Sequence, residues 1–468
     1  MAYTTIDKPS DYFETKLWSG NATDDRAISG LDFAPDWVWI KNRTDTNSHA
    51  LFDTIRGATK YIESDTNDAE ATGSTFLKSF TSDGYTLGTA GRVNSSGNNY
   101  VGWNWLSGGT APAVTYSVKV VSDSGNKYRF DDFGTSAVTL DLQEGGTYTF
   151  DQSDSSNSGH PLRFSTTSDG THGGGSEYTT NVTTTGTPGS AGAKTVITVA
   201  SGTATLYYYC SVHSGMGGQA NTNSTFGSSN FGGSIQSNVS ANTTAGFSIG
   251  TYTGNGTDGA TVGTGLTGLS LVIAKCRNTT GGWVVKHQSL SGDNNVYLQI
   301  TNAAGSAASA GSGGIGALND STFPLVTGTS GASSSQVNAS GNTHVFYAFA
   351  EKKGYSKFGS YTGNGNADGT FIYTGFKPAW VMAKKTSATE DWSVTDNKRD
   401  TFNVMGNKLR PNSSSQESTL NSHIDFLSNG FKWRSTSGEF NSSGGTYIYM
   451  AFAENPFVTS TGIPTTAR

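Results

Sequence analysis

Apolar residues along this chain occur in short runs, separated by polar tracts that are rich in glycine, serine, threonine and asparagine. Examples are DWVWIK at 36–41, LSLVIAK at 269–275 and AWVMAK at 379–384, which are dense in β-branched and aromatic residues. Runs of this length and composition, bounded by turn residues, predict strands rather than helices. Since no long amphipathic helical pattern occurs, the sequence predicts an all-β protein built from antiparallel sandwiches.

The same strand pattern occurs three times. The segments 17–42, 252–276 and 361–385 each combine an aromatic-ended strand, a Gly/Asn/Asp turn and a second strand that ends near a lysine. Further along, SDGYTLG at 82–88 parallels SNGFKW at 428–433. We therefore expect three jelly-roll-like sandwich repeats, at 1–110, 246–351 and 355–457, packed end to end as beads. A short polar tail would follow at 458–468.

A stretch between the first two copies breaks the repeat. Residues 115–222 contain about seven strand-like runs with turn signals between them. This spacing predicts a separate, small Greek-key sandwich. The Asn/Ser/Gly-rich tract at 223–245 is typical of a linker, which would join that sandwich to the second repeat.

Charge and cysteine content exclude several classes of function. Charged residues make up 14% of the chain, and the net charge of −6 argues against a basic face for nucleic acid. No apolar stretch is long enough for membrane insertion, and the N-terminus has no signal-peptide pattern, so we expect synthesis in a cytoplasm. Two cysteines, Cys210 and Cys276, do not form a disulfide framework.

Several blocks in the repeats resemble a known class of protein. They are MAYTTIDKPSDYF at the start, FAPDWVWIKNR with LFDTIRGA within 33–58, SANTTAGFSIGTYTGNG at 240–256 and GTYIYMAFAENP at 445–456. Together they resemble repeat domains in virion structural proteins of tailed phages, which are common in marine phages. The resemblance implies a non-enzymatic, tail-fibre-like or capsid-attached protein that contacts other virion proteins and a host surface glycan or receptor. It also implies a virion location and a homo-oligomer, with a trimer favoured.

The segment YYYCSVHSGMGG at 207–218 collects Cys210, His213 and Met216 in a chain with only 2 cysteines, 7 histidines and 5 methionines. Two imidazoles, one thiolate and a weak axial thioether form a blue-copper site. The pattern His…Cys-x-x-His-x-x-Met resembles the cupredoxins, which implies a cupredoxin-like domain with His160, Cys210 and His213 as equatorial copper ligands and Met216 as the axial ligand.

Two interpretations of these four residues stay open. A type-1-like copper site would serve electron transfer or would stabilise the domain through the metal. Alternatively, Cys210 and Met216 are ordinary core residues and His160 caps a turn. His172, in a Gly-rich loop, is expected to be a solvated turn residue.

Enzymatic activity is not expected, because no carboxylate pair, nucleophile motif or phosphate loop has the context that its chemistry requires. A carbohydrate-binding adhesin is a further alternative, in which strand-end tryptophans would stack on sugars. Trp37 and Trp39 lie on one face of a strand, as do Trp103 and Trp105, and we expect that face to be core.

Overall fold

The computed structural model describes residues 4–109, 111–222, 226–331 and 335–456, and within them the all-β prediction is confirmed. Helical structure in these ranges is limited to one short α-helix, Gly91–Asn94, and three 3-10 turns, Pro9–Asp11, Ser155–Asn157 and Gly170–Gly173. None of the described helices is long and apolar enough to cross a membrane. The predicted tail at 458–468 and residues 223–225 of the predicted linker lie outside the described residues.

Each repeat has an inner sheet. In spatial order, the inner strands of the first repeat are Phe13–Ser19, Asn99–Trp105, Trp37–Asn42 and Ala50–Asp53. Those of the second repeat are Ser228–Asn230, Ser237–Asn242, Phe247–Thr253, Thr343–Ala350, Leu269–Cys276, Trp283–His287, Asn294–Tyr297 and Gly305–Ser306. Those of the third repeat are Ser356–Thr362, Thr446–Pro456, Phe376–Lys385 and Trp392–Asp396.

Each repeat also has a smaller outer sheet. The outer strands of the first repeat are Arg26–Ile28, Gly84–Leu87 and Leu77–Thr81, beside a two-stranded ribbon of Lys60–Tyr61 and Ala71–Thr72. Those of the second repeat are Thr261–Gly263, Thr322–Val326 and Gly314–Ile315. Those of the third repeat are Phe371–Tyr373, Gly430–Trp433, Ser418–Leu427 and Met405–Lys408.

The central strand of each inner sheet is buried on both faces. Trp37 and Trp39 contact a core that all three repeats share, whereas Val38 and Ile40 contact the core of the first repeat alone. The strands Leu269–Cys276 and Phe376–Lys385 alternate in the same way between the shared core and their own. Burial on both faces explains why these strands are almost continuously apolar.

Aromatic rings from the three repeats meet in the shared core. Trp37 stacks on Tyr347 of the second repeat with ring centroids 4.3 Å apart, and Phe13 stacks on Phe452 of the third at 5.0 Å. Phe349 of the second repeat lies 5.9 Å from the same Phe452. The expected end-to-end chain of beads is therefore wrong: it would expose the apolar second face of each inner sheet, at about 25 cal/mol per Å².

Buried lysines connect the repeats in a closed cyclic order. The Nζ atom of each donates to a carbonyl of a neighbouring repeat: Lys41 to Ser414 at 3.1 Å, Lys275 to Asn67 at 3.2 Å and Lys384 to Thr301 at 3.0 Å. The order runs from the first repeat to the third, the second to the first, and the third to the second. The three repeats thus form a ring, which we call the repeat ring.

The tryptophans weighed as sugar platforms are core residues, as expected from their position on one strand face. At most 2% of the surface of each is exposed among Trp37, Trp39, Trp103, Trp105, Trp380, Trp392 and Trp433. No exposed tryptophan pair is present among these.

The linker predicted at 223–245 is wrong in its described part. Strand Ser237–Asn242 pairs antiparallel with Phe247–Thr253 and extends the inner sheet of the second repeat. Val239 is buried in the core of that repeat, and the Ser237 hydroxyl donates to the carbonyl of Gly263 at 2.9 Å. Serine and asparagine are typical of loops because they compete for backbone hydrogen bonds, so their abundance concealed this strand.

Between the first and second repeats the chain forms a sandwich with its own hydrophobic core, which we call the inserted sandwich. Its five-stranded sheet has the order Asn126–Phe130, Ala113–Ser122, Thr147–Asp151, Lys194–Thr198 and Val182–Thr185. Its four-stranded sheet has the order Leu140–Asp141, Gly218–Asn221, Leu206–Cys210 and Leu162–Ser165. The candidate metal ligands lie at one end of this second sheet.

Candidate metal centre

Strand register brings two of the candidate ligands side by side. Leu162–Ser165 pairs antiparallel with Leu206–Cys210, and Leu162 is directly opposite Cys210. His160 precedes Leu162 by two residues and therefore lies beside the end of the second strand. His213 follows in the turn after Cys210, so the start of one strand, the end of its neighbour and the turn that follows supply the three donors.

The three donor atoms converge. Sγ of Cys210 lies 3.9 Å from Nδ1 of His160 and 3.8 Å from Nδ1 of His213. The two imidazole ring centroids are 4.6 Å apart, and the three donor atoms all lie within 4.8 Å of one another. Metal–sulfur and metal–nitrogen bonds of about 2.3 and 2.0 Å at trigonal angles separate sulfur from nitrogen by about 3.7 Å. The observed spacing fits one metal ion between them.

The three donors differ in their access to solvent. Cys210 is completely buried, His160 is partly buried and His213 is exposed. Burial, together with the nearby His213, lowers the pKa of His160 below the usual value for histidine. A neutral imidazole has the free lone pair that a metal needs. The thiol thus lies on the protein side of the site and one imidazole lies on the solvent side.

Met216 lies close to this group. It is 1% exposed, belongs to the same core cluster as Cys210, and lines a surface depression together with His213. Its carbonyl accepts a hydrogen bond from the backbone N–H of Tyr128 at 3.0 Å, which ties the ligand turn to the facing sheet. The role of its thioether as an axial ligand stays a prediction.

Neighbouring side chains fix the backbone around His160. Its carbonyl accepts two hydrogen bonds at 2.9 Å, one from the Tyr128 hydroxyl and one from Nε2 of Gln152. Outer contacts of this kind orient metal ligands and limit their rearrangement. Sequence reasoning missed both residues, because Tyr128 lies in another strand, Gln152 follows the end of one, and neither belongs to a motif.

A 3-10 turn holds the Cys210–Gly215 segment from the other side. His172 Nε2 donates to the carbonyl of Cys210 at 3.1 Å, and the Gly215 N–H donates to Oδ1 of Asp169 at 2.8 Å. His172 is exposed in a turn, and its contact with the Cys210 carbonyl was not indicated by the sequence. His172 is not one of the three converging metal-ligand side chains. Its hydrogen bond instead holds the backbone of the Cys210–Gly215 segment in place.

The donor set narrows the choice of metal. One thiolate and two imidazoles suit copper and zinc, whereas oxygen-preferring ions such as Mg²⁺ and Ca²⁺ need carboxylates or carbonyls. Among the described residues, His160, Cys210 and His213 are the one group of three or more His, Cys, Asp or Glu side chains close enough together to hold a metal ion. Both cysteines are free, which confirms the absence of a disulfide framework.

Comparison with known families concerns the repeat ring. A family described as a domain of unknown function, DUF7483, matches residues 8–129 and 219–456, more than three quarters of the chain. The chain belongs to the DUF7483 family. The DUF7483 match leaves out 130–218, the part of the inserted sandwich that contains His160, Cys210, His213 and Met216. No curated protein matches the chain.

Proposed function

We propose that the inserted sandwich binds one copper ion through His160, Cys210 and His213, with Met216 as the weak axial ligand. The observation that carries this proposal is the convergence of one sulfur and two imidazole nitrogens within 4.8 Å. A soft thiolate beside two imidazoles favours copper, and a thioether at the fourth position extends that preference to Cu(I).

The bound ion would serve electron transfer or domain stability. Copper held by a trigonal set of sulfur and nitrogen ligands can accept and release one electron while its ligands stay in place. His213 is the exposed donor, so it forms the edge of the site nearest to solvent. A metal that binds only the folded chain also raises the free energy of unfolding.

Metal analysis of the full chain tests this proposal. After addition of Cu(II) and dialysis against a weak chelator, we expect about one copper per chain, and about tenfold less in Cys210→Ser. Cys276→Ser is the matched control, because Cys276 is also a buried free cysteine but lies in the second repeat. Failure of the chain to retain copper, or equal retention by Cys210→Ser, would contradict the proposal.

We also propose that the repeat ring is a non-enzymatic structural part of a tailed-phage virion, tail-fibre-like or attached to the capsid. Its support is the resemblance of the repeat sequences, together with the arrangement of three repeats around one core. Phage fibres are commonly built on threefold symmetry, and a ring of three repeats matches that symmetry within one chain. The predicted homotrimer stays a prediction.

One measurement tests the virion proposal, and a second tests the predicted homotrimer. Mass spectrometry of purified particles is expected to detect this chain, and its absence would contradict the proposal. Analytical ultracentrifugation of the purified chain distinguishes a homotrimer from a monomer, in which one chain alone provides the threefold arrangement.

A further inference from the structure

Exposed aromatic side chains gather on one of the three repeats. Among the described residues, six large apolar side chains are exposed, and four of them belong to the third repeat: Phe371, Tyr373, Phe402 and Val404. Phe371 is 44% exposed and Tyr373 is 55% exposed. Exposed aromatic rings that are close together commonly mark a binding surface.

Phe371 and Tyr373 share the outer face of an edge strand. They flank the buried Ile372, and residues two apart in a strand lie about 7 Å apart on the same face. Gly430 is directly opposite Tyr373, and a Cβ at this glycine would lie only 3.0 Å from Cε2 of Phe371. The same Cβ would meet the carbonyl oxygen of Ile372 first, as a Cβ at the equivalent Gly84 would meet that of Ile28, so the glycine serves the pairing of the strands. Because they lie on one face, the exposed rings of Phe371 and Tyr373 form a platform.

Hydrogen-bonding groups border this platform. Lys432 is directly opposite Phe371, and its Nζ lies 2.6 Å from Oδ1 of Asp368. Arg434 contacts the same carboxylate oxygen at 2.8 Å, while the Asp368 side chain remains 69% exposed. Donors and acceptors for hydroxyl groups therefore lie beside the aromatic rings.

The other two repeats lack the platform although they keep the strand. Their equivalents of Ile372 are Ile28 and Val262, which are also buried and also face an aromatic residue. The two flanking positions, however, are small: they hold Ala27 and Ser29 in the first repeat and Thr261 and Gly263 in the second. The fold therefore requires the central apolar residue but does not require the two exposed rings.

We propose that Phe371 and Tyr373 bind the apolar faces of pyranose rings in a neutral glycan, with Lys432, Asp368 and Arg434 contacting its hydroxyls. Two half-exposed rings offer roughly 200 Å² of apolar surface, whereas a stable protein interface buries about 1,200 Å² or more. The platform is therefore too small for a second copy of the chain, and it suits a sugar. The proposal depends on the host-surface contact implied by the phage resemblance only for its biological setting.

Saturation-transfer NMR on the full chain tests the platform with cellohexaose, maltohexaose and chitohexaose as probes. We expect transfer to the ring C–H protons of at least one hexasaccharide. The double variant Phe371→Ala, Tyr373→Ala should weaken binding about tenfold or more, as expected for loss of central aromatic contacts. Phe371→Tyr keeps an aromatic ring and should retain binding, and Leu17→Ala is a matched truncation of an exposed apolar side chain in the first repeat.

Three results would overturn the proposal: no binding of any of the hexasaccharides, equal binding by the double variant, or self-association of the chain that the double variant abolishes. None of them bears on whether purified virions contain the chain, so failure of the platform and failure of the virion proposal are distinguishable.

Discussion

Buried polar side chains have opposite arrangements in the repeat ring and in the inserted sandwich. In the ring, Lys41, Lys275 and Lys384 donate to backbone carbonyl oxygens. The Nζ atom of Lys41, for example, donates to Asn42 at 2.8 Å and to Ser414 at 3.1 Å. In the inserted sandwich, the Nδ1 atoms of His160 and His213 both face the sulfur of Cys210. Buried groups whose hydrogen-bond donors are matched by acceptors stabilise the fold. Buried groups whose lone-pair atoms converge on one point instead indicate a metal site.

The interfaces of the ring extend this comparison. Asp53 with Arg56 in the first repeat and Asp396 with Arg399 in the third are fully buried ion pairs at equivalent strand positions. Each arginine also contacts a glutamate, Glu70 or Glu417. The second repeat instead holds His287, Leu290 and Ala304 at the corresponding places. Where one repeat lacks the buried aspartate, it also lacks the arginine and the glutamate, so the three charged residues are present or absent together.

Removing one member of such a set should give the largest effect on stability. The Asp396 and Arg399 side chains are 0% exposed and 2.6 Å apart. Asp396→Ala leaves a buried guanidinium without its main partner, so we expect the free energy of unfolding to fall by about 3–5 kcal/mol. Urea denaturation of the full chain, followed by tryptophan fluorescence, measures this change.

The matched control copies the second repeat into the third. The triple variant Asp396→His, Arg399→Leu, Glu417→Ala removes the whole set, and it should destabilise the chain less than Asp396→Ala alone. If the triple variant loses as much stability as Asp396→Ala, the residues of the second repeat cannot replace the three charged residues of the third, which would contradict this prediction.

Copper should stabilise the inserted sandwich by the next largest amount. At a free Cu(II) concentration about a hundredfold above the dissociation constant, the free energy of unfolding should rise by about 2.7 kcal/mol. The measurement is urea denaturation with and without Cu(II), and His160→Ala and His213→Ala should lose the gain. If Cu(II) raised the free energy of unfolding equally in those variants, the copper would be bound at another site.

Each of four buried lysines in the ring predicts a smaller, pH-dependent effect. Burial lowers the pKa of Lys41, Lys275, Lys286 and Lys384 to about 8, from 10.5. Above pH 8 the folded chain loses these protons while the unfolded chain still holds them, so stability should rise with pH. Between about pH 8 and 9.5 we expect each of these lysines to add about 1.5 kcal/mol to the free energy of unfolding, whereas below about pH 7 they add no slope.

Denaturant titrations across this pH range measure the effect. Lys384→Met removes one of the four lysines and should reduce the slope by about a quarter, despite the lower stability of that variant. A slope that is unchanged in Lys384→Met would contradict the assignment to these lysines.

The smallest effect is expected at the proposed axial position. Met216→Leu keeps an apolar side chain of similar volume in the core but removes the thioether. The Cu(II) chain should stay coloured, with a shifted absorption maximum, because the axial bond is long and weak. The measurement is the visible absorption spectrum of the copper-loaded wild-type chain and of copper-loaded Met216→Leu. Identical spectra would exclude Met216 as a ligand.

Part of this architecture could be predicted from sequence, and part could not. The strands were predictable because apolar runs such as DWVWIK alternate with turn residues. The same run contains little polar alternation, which is the local sign of burial on both faces, yet nothing local identifies the partner repeats that cover Trp37 and Trp39. His160 and Cys210 were identifiable because such residues are scarce, whereas Tyr128 and Gln152 are common residue types brought in by tertiary structure.

The visible absorption spectrum of the full chain with one equivalent of Cu(II) tests the metal centre most directly. A thiolate bound to Cu(II) gives intense charge-transfer absorption in the visible, which imidazole and carboxylate ligands do not give. We predict an intense blue colour that persists in Cys276→Ser and disappears in Cys210→Ser. A colourless or merely pale solution, or a blue colour retained by Cys210→Ser, would contradict the site.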